Sequence, residues 1–445
     1  MSSVTLQNTK LTFNVAIVAV DKNNNGVSLP LNIGSISNLE INDNLIDFGI
    51  TGSITYTNWF QIVDKLGVTE GRDKKTLYIT IDIESEDDRE REDETRKISF
   101  IGLMESSNSD GGNIADIKQT YKFEEAITSR LKKTTLTSLE GVQTSGSAAS
   151  IIESVFNISK TSYNNSVNDT SSVNLRDFWE SNESVYVTLY KLYNALRVGG
   201  GQRRLPLIKA ENSKEERQIQ IKELLTDRHF EFVSAYINKR EGDFRDVYQE
   251  EFLIGPEERE TGNSSLYNKV ENYDHVKPNI GQLRQSLWGA YKLSGWKEVD
   301  AAADLSNVRS EFTDLNVFVK EFEKYINEKS NIPDIKKEDQ KTFELEPLSS
   351  TSGSTNIIKD IVYNKLWKSF IFRNEAVVLT VKGQVYRKPG VFITIQGALN
   401  TRGEPVTDLW FVIRNKHLFN SGNYENEITA VRFFGNVERN FNSQS

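Results

Sequence analysis

Apolar residues in this chain recur mainly with period two, in short runs closed by turn formers. Thr51–Thr57 shows the pattern cleanly: Ile54 and Tyr56 fall on one face, Ser53, Thr55 and Thr57 on the other, as in a half-buried strand. Leu11–Val20, Val27–Ile33, Ile36–Ile41, Phe48–Thr57, Thr76–Ile83 and Lys97–Leu103 read the same way, so residues 1 to about 135 are expected to be all-β. Asn58–Leu66 interrupts them as a short helix, with Phe60, Ile62, Val63 and Leu66 at helical spacing. Between Ile83 and Lys97 stands ESEDDREREDETR. So many charges cannot enter a core, and Ser85–Thr95 is expected to be a solvated hairpin tip, the alternative being an electrostatic docking loop for a neighbouring subunit.

The period then changes. Ser147–Ile158 places Ala149, Ile152, Val155 and Phe156 on one helical stripe, with Ser147 a candidate N-cap. Ser162–Ser172 is rich in Asn, Ser and Thr and reads as a loop. Glu183–Arg197 aligns Tyr186, Leu189, Tyr190, Tyr193 and Leu196 on one face, the stripe of a core-facing helix, and Gly199-Gly200-Gly201 closes it. Strands return at Leu205–Ala210, Gln218–Leu224, His229–Ile237 and Val247–Ile254. The block from Gly262 to about Thr355 is polar, and Gly281–Leu293 and Ser310–Lys329 are its clearest helices. Asn356–Phe370 is a further helix leading into the last β stretch.

That stretch, Asn374 to Phe434, holds four runs rich in β-branched and aromatic residues: Ala376–Val381, Val391–Ile395, Leu409–Ile413 and Ile428–Phe434. Turns are expected at Lys388-Pro389-Gly390, from Asn400 to Pro405 and from Asn420 to Asn426. Pro389 presets φ for its turn, and Gly390 is free to take the positive φ that follows.

Composition narrows the chemistry. The 445 residues suffice for two to four domains; 37% hydrophobic and 26% charged residues are ordinary for a globular protein. A net charge of −9 argues against a surface that grips phosphate generally. The chain has no cysteine, which removes disulfides, thiolate nucleophiles and Cys-metal sites. The opening residues lack a basic segment followed by a long apolar core, so no signal peptide is expected. Val15–Val20 is far too short to span a bilayer.

No catalytic, cofactor-binding or metal-binding residue is assigned. His229, His275 and His417 are the only histidines; no two have ligand spacing, and each is expected to be structural. Asp21-x-Asn23-x-Asn25-Gly26 begins like a calcium loop, but Asn32 stands where a bidentate Glu belongs and the flanks read as strands, so a tight turn is expected. Gly199–Gly201 follows a helix and lacks the Lys-Ser/Thr of a phosphate cradle. Carboxylates are plentiful, and a pair for glycoside hydrolysis stays open, with none singled out.

Gly383, then Pro389-Gly390, Trp410-Phe411-Val412, His417, Tyr424 and Ile428 to Phe434, in this order and spacing, resemble the last β domain of phage baseplate hub proteins. The order "SISNLEINDNL…GSITYTNWFQIVDKLGV…LYITI…ISFIGLM" resembles their first barrel. These proteins are trimeric adaptors between the tail tube and central spike of contractile tails and related injection machines. The resemblance implies an α+β, mainly β chain with two similar antiparallel barrels. Residues 1–135 would form the first barrel, 136–202 a mixed α/β middle region, and 203–260 plus 374–437 a second, discontinuous barrel. Residues 262–355 would be a helical insertion, and 356–373 a connecting helix. It further implies a non-enzymatic homotrimer, assembled in a host cytoplasm and carried in the virion. Its partners would be the tail tube protein, the spike, and tape-measure or other baseplate proteins, with DNA passing through the lumen unbound. The alternatives are a polysaccharide-degrading all-β virion hydrolase and a non-catalytic glycan-binding virion module.

Overall fold

The computed structural model describes residues 2–6, 9–57, 66, 75–85, 97–110, 118–177, 179–198, 205–212, 217–237, 239–254, 268–276, 364, 376–399, 405–420 and 422–432. The fold is α+β and mainly β. The N-terminal strands are β1 (Ser2–Leu6), β2 (Thr9–Val20), β3 (Gly26–Pro30), β4 (Ile36–Asn44), β5 (Thr51–Tyr56), β6 (Thr76–Ser85), β7 (Lys97–Asp110) and β8 (Lys118–Glu125). Their alternation drives the packing. In β6 Ile79, Ile81 and Ile83 turn inward, and in β2 Leu11, Phe13, Val15, Ile17 and Ala19 do. The all-β expectation for 1–135 is corrected at its end, where helix α1 (Ala126–Lys133) follows β8. The expected helix at 58–66 and hairpin tip at 85–95 lie outside the described residues, apart from buried Leu66 and Ser85, which is the last residue of β6.

The middle of the chain contributes β9 (Ser145–Gly146), α2 (Ala148–Ile158), β10 (Tyr163–Asn165), β11 (Val173–Asn174) and α3 (Val185–Ala195). Ser147 caps α2: its side chain accepts from Ser150 N. Ser184 does the same for α3. The tyrosine stripe of α3 is only partly core: Leu189 and Tyr193 are buried, while Tyr190 is 43% exposed. Next come β12 (Pro206–Asn212), β13 (Arg217–Glu223), α4 (Asp227–Ile237) and β14 (Tyr248–Leu253).

Two expectations change here. Strands β12 and β13 join β10 in a separate three-stranded sheet against the middle helices and are absent from the large sheet. Residues 229–237 form α4 instead of a strand, because His229, Phe232, Val233 and Tyr236 recur at i, i+3, i+4 and i+7, the helical period.

The last strands are β15 (Val270–Val276), β16 (Ala376–Lys382), β17 (Phe392–Leu399), β18 (Pro405–Asn420) and β19 (Asn423–Arg432). Strand β15 falls inside the block expected to be a helical insertion; it pairs β16 in antiparallel register. The expected helices at 281–293, 310–329 and 356–370 lie outside the described residues, save for buried Asn364. The turn expected over 420–426 is tighter than its sequence suggested, since Asn420 already pairs Asn423 and Gly422 takes φ +103°.

All strands but β9–β13 belong to one 14-stranded sheet, with the path β1-β2-β6-β7-β8-β5-β4-β18-β19-β16-β15. Strand β3 adds to β2, and β14 to β17, which pairs β18. An isolated bridge, Leu253 with Lys269, brings the end of β14 back toward the β15 side. The N- and C-terminal β units therefore meet within a single sheet, along β4 and β18. Sixteen-residue β18 makes this possible by changing neighbours. Its first half, Pro405–Phe411, pairs β17; after an irregularity between Val412 and Arg414, Arg414–Asn420 pairs β4. Strand β19 lines the opposite edge from Trp410 to Asn420.

Candidate functional site

The connection between β16 and β17, residues 383–391, lies where the two β units, β14 and α4 meet. Each residue that holds it has a local reason. Gly383 leaves room for the ring of Tyr424 and donates its N–H to Tyr424 O at 2.7 Å. Gly390 takes φ +87°, the left-handed turn conformation its sequence context predicts, and donates to Val412 O at 2.8 Å. Val385 reaches into the core of the N-terminal unit, together with Phe419 and Tyr424 from the tip of the β18–β19 hairpin. There Phe419 stacks on Tyr424 at 4.3 Å and meets Phe13 edge-on at 6.0 Å.

Arg387 is the centre of the connection. It is fully buried, and its guanidinium makes a bidentate pair with Glu250 of β14 at 2.6 and 3.0 Å. It also donates to Lys382 O and to Asn426 Oδ1, and Tyr386 Oη donates to Glu250 Oε2 at 3.1 Å. Burial alone works against the charged guanidinium, but the Glu250 carboxylate outweighs it and raises the Arg387 pKa.

On the β18–β19 side, Asn415 Nδ2 donates to Arg387 O at 2.7 Å and faces His417 Nε2 at 3.0 Å. The other ring nitrogen of His417 faces Tyr424 Oη at 2.8 Å and Asn426 Nδ2 at 3.1 Å. Amide donors stand against both nitrogens, so an imidazolium has little to donate to. Burial, with Arg387 nearby, lowers the His417 pKa to about 4.

His229 is tied to the same connection. Thr226 N donates to its Nδ1 at 3.1 Å, so Nε2 carries the proton and donates to Gly390 O at 3.0 Å. Burial lowers its pKa as well. Two further ion pairs fasten the three-stranded sheet to the large one. Arg217 grips Glu125 at 2.5 and 3.0 Å, and Lys209 pairs with Asp43 and donates to Asn44 O.

Among the residues singled out in sequence, Gly383, Gly390, His417, Tyr424 and His229 converge on this junction. Trp410, Phe411 and Val412 are buried in the adjoining cores. His275 lies apart on β15, edge-on to the Trp410 ring at 6.3 Å. Asp21–Gly26 is the expected tight turn: Asp21 Oδ1 accepts from Asn23 N and Asn25 N, each at 2.8 Å, and Asn24 takes φ +63°. Residues 199–201 lie outside the described residues. Sequence reasoning missed the Arg387–Glu250 pair, whose partners stand 137 positions apart with no spacing to link them.

Arg387, Glu250, Asn415, His417 and Asn426 are all buried. The chemistry of the junction is that of a fixed scaffold, in which this hydrogen-bond network specifies one packing of two β units. Among the described residues no group of three His, Asp or Glu is arranged to hold a metal, and no helix is long and apolar enough to cross a membrane.

No protein-family model and no curated protein matches the chain. Solved structures do. A 43 kDa tail protein of prophage MuSo2 from Shewanella oneidensis matches at TM-score 0.50 and 10% identity, over 94% of this chain and 98% of that one. The tail protein from Neisseria meningitidis MC58 matches at TM-score 0.49 and 7% identity, over 95% and 96%. Prophage tail protein gp18 from Listeria monocytogenes matches at 0.42 and 9%, over 95% and 96%. The Shewanella likeness shows a shared fold along nearly the whole of both chains.

Proposed function

We propose that this chain is a non-catalytic structural protein of a phage tail or related injection machine. In this reading it is a baseplate hub that joins a sixfold tail tube to a threefold spike. The observation that carries the proposal is a repeat of strand plan within one chain. The path β6-β7-β8-β5-β4 is matched by β17-β18-β19-β16-β15, every neighbour antiparallel. Two irregularities correspond as well, while the shift in β17–β18 between Gln396 and Ala398 has no counterpart in β6–β7. Strands β7 and β18 each shift register in mid-strand, between Met104 and Ser106 and between Val412 and Arg414. Strands β4 and β15 each shift after their first residue, between Ile36 and Asn38 and between Val270 and Asn272.

Two like units held side by side in one chain suit a ring. Three copies present six near-equivalent units at one end and keep threefold symmetry at the other. The fold shared with a prophage tail protein supports the same reading. A net charge of −9 suits a lumen wall that DNA passes without sticking. The partners are then the tube protein, the spike and neighbouring baseplate proteins, and the location is the virion tail.

The test is the mass of the assembled particle and its symmetry in projection. A trimer with six similar densities in the ring is expected. Six chains per ring, or a single copy at the tail tip, would overturn it. Turnover of a cell-wall or capsular glycan would point to a hydrolase, and saturable glycan binding without turnover to a binding module.

A further inference from the structure

We infer that this chain closes an isopeptide bond between Lys209 of β12 and Asn44 at the end of β4, a covalent staple formed by its own side chains. The bond ties the three-stranded sheet to the large one, whatever machine the chain serves.

Lysine is costly to bury. Lys209 is 4% exposed, on a strand in which Pro206 to Ala210 are all buried. Leu207, on the same face of β12, and Leu45, next to Asn44, belong to one apolar cluster. Lys209 Nζ stands against Asp43 Oδ1 and donates to Asn44 O. Asp43 Oδ1 accepts no hydrogen bond, so its lone pairs are open to a proton from the amine beside it.

Asn44 is prepared as the electrophile. It is buried, and its Oδ1 accepts from Ile46 N at 2.9 Å and Asp47 N at 2.8 Å. Two fixed backbone donors of this kind stabilise an oxyanion. Its Nδ2, the leaving group, donates to Asp47 Oδ2 at 2.9 Å. Asn44 Cγ lies three bonds from the carbonyl carbon whose oxygen Nζ already touches, a step the flexible lysine stem can take. The backbone is pinned on both sides of the pair. Leu45 N donates to Ile413 O at 3.0 Å, and Ala210 N to Phe48 O at 2.5 Å. Nucleophile and electrophile are thus held together on strands that cannot drift apart.

The reaction balances without an oxidant or reductant. Asp43 takes a proton from Nζ, and the amine attacks Asn44 Cγ. Negative charge collects on Oδ1, between the two N–H groups. The new Nζ–Cγ bond stays and the Cγ–Nδ2 bond breaks. Nζ gives up two protons in all; Asp43 and Asp47 carry them to Nδ2, which leaves as ammonium. In a chain without cysteine, the product supplies a covalent tie that no disulfide can.

The test is mass spectrometry of the full-length protein after complete proteolysis. One branched peptide is expected, joining the segments that hold Asn44 and Lys209 and lighter by one ammonia than their sum. Lys209→Arg keeps a positive charge beside Asp43 but cannot form the bond, and should yield the two linear peptides. Asp43→Ala leaves both ends of the bond in place. It should slow linkage by about a hundredfold or more in protein harvested at intervals after synthesis, as loss of a proton carrier does. The parent result stands by itself if a variant fails to fold. Two linear peptides from the parent protein would overturn the bond. A branched peptide lighter by one water would overturn it as well, because the partner would then be the Asp43 carboxyl. Linkage of Asp43→Ala at the parent rate would remove Asp43 from the reaction.

Discussion

The ring of Tyr424 covers the bare backbone of Gly383, so that a methyl group on Gly383 would stand 2.3 Å from Tyr424 Cγ. No real Cβ tolerates that distance, and the ring has little freedom to withdraw. It is stacked on Phe419 at 4.3 Å and held through its hydroxyl by His417 at 2.8 Å. Gly383→Ala is therefore expected to destabilise the fold by about 1–3 kcal/mol or more, as overpacking in a full core does. Urea denaturation reads it, and an unchanged midpoint would mean the ring is not fixed.

The Arg387–Glu250 pair should be costly to break and cheap to replace. Removing one partner leaves the other charge buried, so Arg387→Met alone is expected to cost about 3–5 kcal/mol. Adding Glu250→Leu should recover most of the loss. Equal destabilisation in the single and double variants would show that the polar contacts to Asn426 and Lys382, rather than the charge, hold the connection in place.

Acid should loosen the junction in a defined window. His417 ionises near pH 4 when folded and near ~6.5 when unfolded. The unfolded chain thus binds the proton more readily, and stability rises with pH across this range. The contribution is complete above pH ~6.5 and is lost as pH falls toward 4, by about 3 kcal/mol in all. His229, also lowered by burial, acts in the same direction. A His417→Gln variant that keeps the fold should show a shallower decline in unfolding free energy between pH 6.5 and 4; an identical slope would rule out His417 as its source.

Ser147 offers a local test. Its hydroxyl caps α2 by accepting from Ser150 N at 3.2 Å. Ser147→Ala should cost about 1 kcal/mol, and Ser147→Asp should cost little, since aspartate caps as well. Thermal unfolding of the two variants distinguishes a cap from a packing role.

Excising residues 262–354 removes β15 along with the polar block and strips the edge of β16. That variant is expected to aggregate or misfold. Excision from 280 to 354, which keeps β15, is expected to leave soluble protein with the parent circular dichroism. Equal behaviour of the two would show that β15 adds nothing to the sheet.

The sequence by itself determined what depends on near neighbours. Alternation at Thr51–Tyr56 and Ala376–Lys382 gave strands, and the stripe Ala149, Ile152, Val155, Phe156 behind Ser147 gave a capped helix. Pro389-Gly390 gave its turn. Gly383, His417 and Tyr424 were marked by their order alone, with no hint that they touch. Local periodicity failed where it was ambiguous or weak. Phe230 and Phe232 mimic a strand inside α4, and β15 is largely polar in sequence, although Val270 and Tyr273 pack partly buried against the core. Which strands pair was decided only by the tertiary structure. Nothing near Glu250 points to Arg387, nothing in β12 and β13 keeps them from the large sheet, and nothing in β18 says that it changes neighbours after Val412. The physical reason is range. Propensity, capping and turn chemistry act over a few residues, whereas strand pairing and buried ion pairs are selected by the burial and hydrogen bonding of the whole assembled sheet.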